Sequence, residues 1–184
     1  MSVWIWTSLA VLLALWAVGL YNRLVRLKNV VKEAWSGIDV QLRRRHNLIP
    51  NLVKTVERYA SHEKTTLEQV TGLRAKSMGA QGMGERGELE SRLGMSLANI
   101  LAVAENYPQL KADSNFRELQ AELSGLEEQI QLARRYYNGT ARDYNVQVES
   151  FPSNLVARAF GFTTVEYFEL DDPAARQVPD VNFH

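Results

Sequence analysis

The sequence predicts an all-α protein: an N-terminal transmembrane helix running into an antiparallel helical bundle of three long helices and one short one, then an extended C-terminal tail. Three observations predict it. An uncharged run opens the chain, apolar residues further on recur three and four apart, and Gly-rich or Pro-containing stretches fall between those periodic segments. At 184 residues one ordinary domain plus an appendage is expected. The expected boundaries are 1–21 for the anchor, 22–162 for the bundle and 163–184 for the tail.

The anchor rests on Val3 to Leu20, 18 residues without a charge, which as a helix span about 27 Å, close to the hydrocarbon thickness of a bilayer. Trp4, Trp6, Trp16 and Tyr21 lie towards its two ends, where amphipathic rings sit at headgroups. Only Met1 and Ser2 precede the run, so the basic leader of a cleaved signal peptide is missing and an uncleaved anchor is expected. Arg23, Arg26, Lys28 and Lys32 follow the span and no Lys or Arg precedes it. The positive-inside tendency therefore places the body on the cytoplasmic side of a bacterial inner membrane.

Beyond the anchor, Val31, Trp35, Ile38, Leu42, Ile49, Leu52, Val56, Tyr59, Val70 and Leu73 form one apolar stripe, interrupted at Arg45, Glu63 and Thr66. Pro50 keeps the phase, so one continuous helix bent at that point is expected. Residues 77–87, SMGAQGMGERG, read as a linker with four glycines. A second helix uses Leu89, Leu93, Leu97, Ile100 and Ala104 and stops before Tyr107-Pro108. After the loop PQLKADS, Asn115 and Glu118 have the spacing of a capping box. A third stripe follows through Phe116, Leu119, Leu123, Leu126, Ile130, Ala133, Tyr137, Tyr144 and Val148, ending at Phe151 before Pro152. A short helix over Pro152 to Phe160 is closed by Gly161, and TTVEYFEL begins the tail.

Charge and motifs argue against several function classes. The 21 basic and 21 acidic residues cancel, unlike a dedicated nucleic-acid-binding domain. The balance is uneven along the chain, with 14 Lys plus Arg against 8 Asp plus Glu between Tyr21 and Arg92 and 7 against 13 after it. Without cysteine there is no disulfide, thiolate zinc site or lipoprotein attachment point. GMGERG at 82–87 matches the dinucleotide fingerprint in letters, but a helix rather than a strand is expected before it, so no cofactor is assigned. Three residues before His46 stands Arg43, and three before His62 stands Tyr59, so neither makes the Glu-x-x-His pair of a bundle metal site. No Gly-x-Ser-x-Gly occurs, and Asn138-Gly139-Thr140 is read as a chance sequon. No catalytic, metal or cofactor residue is assigned.

That leaves the stretch QLRRRHNLIPNLVKTVERY. A helix continuous from Tyr21 would carry Arg43 about 33 Å beyond the bilayer surface, several Debye lengths of about 8 Å away. Arg43, Arg44 and Arg45 also fan over about 200° of helix surface, so they present no single basic face. Arg45 falls in a core-facing slot and needs a carboxylate there, with the Glu127-Glu128 region the expected source. Arg43, Arg44, Arg45 and His46 are candidate interaction residues, together with the terminal aromatics Phe160, Phe162, Tyr167 and Phe168.

Ordered short motifs span essentially the whole chain: RRRHNLIPNLV, YASHEKTTLE, ENYPQLKA, NFRELQAEL, ARRYYN, YN at 144 and 145, FPSNLVARAFGF and a closing PDVNF. In these the sequence resembles the LemA family of bacterial membrane proteins. It departs in LEEQI at 126–130, where the family tends to have Thr-Glu-Asn and Glu128 replaces the amide. The resemblance implies an anchored helical bundle without implying an activity. Relatives are associated with organelle membrane biogenesis and with neighbours such as membrane proteases.

The expected function is a non-catalytic scaffold or adaptor whose partners are the lipid bilayer and further copies of itself, not nucleic acid. Phe160, Phe162, Tyr167 and Phe168 exceed what a short terminal helix buries, so the tail from Thr163 to Leu170 is expected to lie on a neighbouring subunit. The alternative is a monomeric regulatory or chaperone subunit for another membrane protein, a protease or transporter.

Overall fold

The computed structural model describes the backbone of residues 2–169, with side chains from Trp4 onward. All regular structure in it is helical: α1 Ser2–Glu57, α2 Lys64–Gly79, α3 Met83–Ala104, α4 Pro108–Ala112, α5 Ser114–Glu149 and α6 Ser153–Ala159. Residues 162–169 carry no regular structure. The all-α class stands as expected, and several element boundaries differ.

The first stripe is not one helix. Val56 O accepts from the amides of both Tyr59 and Ala60, at 3.0 and 2.8 Å, and Glu63 N–H closes a further turn on Ala60 O at 3.1 Å. The helix ends at Glu57, just before the slots where Glu63 and Thr66 replace apolar residues. The periodicity misleads because Val70 and Leu73 return to the same core from a separate helix. The glycine-rich linker is shorter than 77–87. Only Ala80–Gly82 separate α2 from α3, because Ser77 and Gly87 are both buried within helices.

The loop before α5 holds the short helix α4, with Pro108 at its start, where a missing N–H costs nothing. The cap of α5 is Asp113, not Asn115: Asp113 Oδ1 accepts from Phe116 N–H at 3.0 Å. The Tyr59 hydroxyl donates to its other oxygen at 2.8 Å. That hydrogen bond and the helix amides hold the Asp113 carboxyl below its ordinary range.

The chain forms two compact units. One comprises the described residues of Met1–Val40 together with Ile130–Tyr167. In it α1 buries Leu24, Val31, Ala34 and Ile38, while α5 and α6 bury Ile130, Tyr137, Ala141, Tyr144, Val156 and Ala157. Trp35 and Tyr137 meet edge to face with ring centres 5.7 Å apart.

The other unit comprises Gln41–Gln129 and the described residues of Phe168–His184. Its core gathers Ile49, Leu52 and Val56 of α1, Leu67 and Val70 of α2, Leu93, Leu97 and Ile100 of α3, Leu110 of α4, and Phe116 and Leu123 of α5. Each such side chain contributes about 1.5–3 kcal/mol by leaving water. Here lies a cluster of buried charge that the core must accommodate.

Candidate functional site

The arginine triplet divides once the helix is built. Arg43 and Arg44 are exposed, and Arg44 bonds its own helix at Gln41 Oε1, 3.5 Å away. Arg45 and His46 turn inward and are almost fully buried. Arg45 Nη1 donates to Glu127 Oε2 on α5 at 2.8 Å, the carboxylate source expected from sequence. Its Nη2 donates to Glu90 Oε2 on α3 and to the Glu90 carbonyl at 3.2 Å.

Glu90 is the centre of the cluster, and its side chain has no exposure. Its Oε1 accepts from the Ser77 hydroxyl of α2 and lies 2.8 Å from His46 Nε2. Burial pushes the carboxyl up, but the close approach of the His46 ring, the hydrogen bond from Ser77 and the charge of Arg45 outweigh it and hold the group at about 2. Glu90 therefore stays ionised at ordinary pH with both oxygens engaged. One carboxylate thus ties together α1, α2, α3 and, through Arg45, α5.

A second bond explains Pro50. In a helix His46 O would accept from the amide of residue 50, which proline lacks. Arg74 Nε of α2 donates to that carbonyl at 2.7 Å instead. An orphan left by the sequence is satisfied from the neighbouring helix.

The glycine-rich letters at 82–87 serve packing. Gly82 is the extended residue before α3, and Gly87 faces the tail. A Cβ at Gly87 would collide with the carbonyl oxygen of Glu169 and stand 3.5 Å from the Phe168 ring, and Phe168 is fully buried. Among the described residues no group of three or more His, Cys, Asp or Glu could hold a metal ion.

The tail residues nearer α6 also pack on their own chain. The Asn145 amide donates Nδ2 to Val165 O at 2.9 Å and accepts Val165 N–H on Oδ1 at 2.8 Å. The Tyr137 hydroxyl donates to Glu166 O at 2.7 Å. Asn145 thereby stands in for a strand edge, offering an extended segment one donor and one acceptor. Leu170 and the tail beyond it lie outside the described residues.

Helix α1 is long and apolar enough to cross a membrane by length and composition, and none of its most apolar stretch is buried. Trp4, Trp6, Trp16 and Tyr21 are exposed along it. Arg23, Arg26 and Lys28 are exposed after it. The Tyr21 ring centre lies 4.8 Å from that of Phe160, tilted, and 5.6 Å from that of Phe162, edge to face, and Lys28 Nζ lies 5.7 Å from the centre of the Phe162 ring. Of the terminal aromatics, Phe160 and Tyr167 are exposed, Phe162 is half-buried and Phe168 is buried.

Sequence reasoning missed Glu90, Ser77, Arg74 and Asn145. Glu90 could have been found, because it stands three residues before Leu93 in the buried series of α3. Pro50 pointed to His46 O, though not to its donor.

A family model described as the LemA family matches residues 34–183. Magnetosome protein MamQ 1 of Paramagnetospirillum magneticum is 25% identical over 175 residues, covering 81% of this chain and 64% of its own length. Magnetosome protein MamQ of Magnetospirillum gryphiswaldense is 26% identical over 174 residues, covering 80% and 64%. Protein LemA of Metamycoplasma hominis is 27% identical over 156 residues, covering 84% of this chain and 71% of its own. The chain thus spans less than two thirds of the length of the MamQ relatives.

Proposed function

The chain belongs to the LemA family, and from that premise we propose that it is a non-catalytic, membrane-anchored helical scaffold that self-associates and helps to organise its membrane. The observation that carries the reading is α1: one helix holds an exposed, uncharged run of bilayer length and continues into the buried positions of a folded body. The basic residues after the run support an inner-membrane location with the body on the cytoplasmic side. The most perturbed carboxylate, Glu90, is consumed by structural partners, which fits a scaffold better than proton transfer. Two relatives are named as magnetosome proteins, in keeping with a role at a membrane structure.

The test is the mass of the full chain extracted in native nanodiscs. A defined multiple of 20.9 kDa supports the scaffold. A single copy overturns self-association and leaves the monomeric regulatory or chaperone subunit of a membrane protease or transporter. That second reading has one observation of its own, the tail residues Val165 and Glu166 being bonded within the chain.

A further inference from the structure

We propose that α6 and its flanks form a second, peripheral membrane contact, which docks in the headgroup layer of the bilayer that α1 crosses. The inference rests on the membrane reading of α1 and adds a surface to it. Helix α6 buries Ser153, Val156 and Ala157 against its own unit. Its other side leaves Phe151, Leu155 and Phe160 exposed at 79%, 58% and 63%, too much apolar surface for so short an element to leave in water.

Position selects the occupant. Phe160 and Phe162 both pack on Tyr21, the residue that ends the apolar run, and Phe162 also faces Lys28. Tyr21 and Lys28 are seven residues apart, about 10 Å of helix, and the polar layer on each side of a bilayer is about 5–8 Å deep. The aromatic end of α6 is therefore held where headgroups begin. No partner protein is needed to cover a face that already abuts the point of membrane exit.

Charge agrees with position. Arg23, Arg26, Lys28 and Arg158 are exposed on the same two elements, with Glu149 the acidic residue at the adjoining end of α5. Long basic side chains can reach lipid phosphates while Phe and Leu enter the acyl boundary, the pattern of an interfacial helix. The occupant is thus a bilayer surface containing anionic lipid.

The chain has no cysteine, so single labels are clean. L155C, S124C and L12C variants of the full chain, each carrying a polarity-sensitive fluorophore, are placed in nanodiscs of phosphatidylcholine and phosphatidylglycerol with spin-labelled lipid. The label on L155C should emit to the blue of that on S124C and be quenched several-fold more strongly by a headgroup spin label. Quenching of L155C no greater than that of S124C, with L12C still quenched by an acyl-chain spin label, overturns the docking and leaves the anchor standing. Absence of lipid quenching at L12C overturns the membrane reading, and the proposal with it.

Discussion

Replacing Glu90 by glutamine tests the account of the buried cluster. The substitution keeps shape and some hydrogen bonding but removes the charge that faces Arg45 and His46 of α1. Arg45, whose side chain is 3% exposed, is then left with Glu127, whose side chain is 45% exposed. Holding the carboxyl at about 2 instead of its ordinary 4.5 corresponds to about 3 kcal/mol. Breaking a buried pair from one side costs about 3–5 kcal/mol, so both routes give about 3. With a urea slope of roughly 1–3 kcal/mol/M, the unfolding midpoint should fall by about 1–3 M.

The assay is urea unfolding of the full chain in detergent, followed by circular dichroism. Because the folded value lies below the unfolded one, the contribution is complete above the ordinary 4.5 and is lost as pH falls towards about 2. Wild type and E90Q should therefore converge at the acidic end. Indistinguishable midpoints at neutral pH, or a gap that persists into acid, would refute the reasoning.

Two further predictions concern the backbone contacts. R74M should cost about 1–3 kcal/mol by stranding the His46 carbonyl, and much less in a P50A background, where residue 50 supplies an N–H; equal costs in the two backgrounds on urea unfolding would show that the carbonyl is not the target. G87A should favour α3 by about 0.5–1 kcal/mol yet expel Phe168 and Glu169, raising hydrogen exchange at their amides several-fold. Unchanged exchange there would mean that the tail does not depend on the missing Cβ.

The class of fold was legible because period and charge are local properties. Leu93, Leu97, Ile100, Phe116, Leu123 and Tyr137 announce their burial through spacing alone, and all but Leu97 and Leu123 are essentially inaccessible. What spacing does not reveal is which helix a stripe belongs to. Val70 and Leu73 continue the phase of α1 although they reach the core from α2. Polar contacts were partly legible: Arg45 declared a need for a carboxylate by its slot, but the choice of Glu90 depends on how three helices meet. Asn145 stood in a motif of the resemblance but gave no signal of its role, since an amide on a helix is ordinarily solvated and here substitutes for a strand.

A strongly shifted carboxylate usually points towards catalysis, and Glu90 shows how the two cases part. A working acid or base needs a proton in play near neutral pH and a lone pair facing a substrate. Glu90 is moved away from neutrality, and its oxygens are taken up by Arg45, Ser77 and His46. The nearby cleft between α2 and α3 is lined by Gln69, Leu73, Lys76, Arg92, Met95 and Asn99 and does not reach it. Energy alone does not account for the cluster either, since well-packed apolar residues often replace buried ion pairs without loss. Geometry offers a reason: leucines can interdigitate in several registers, whereas one guanidinium fork reaching carboxylates on α3 and α5 penalises alignments of those helices with α1 that part the charges.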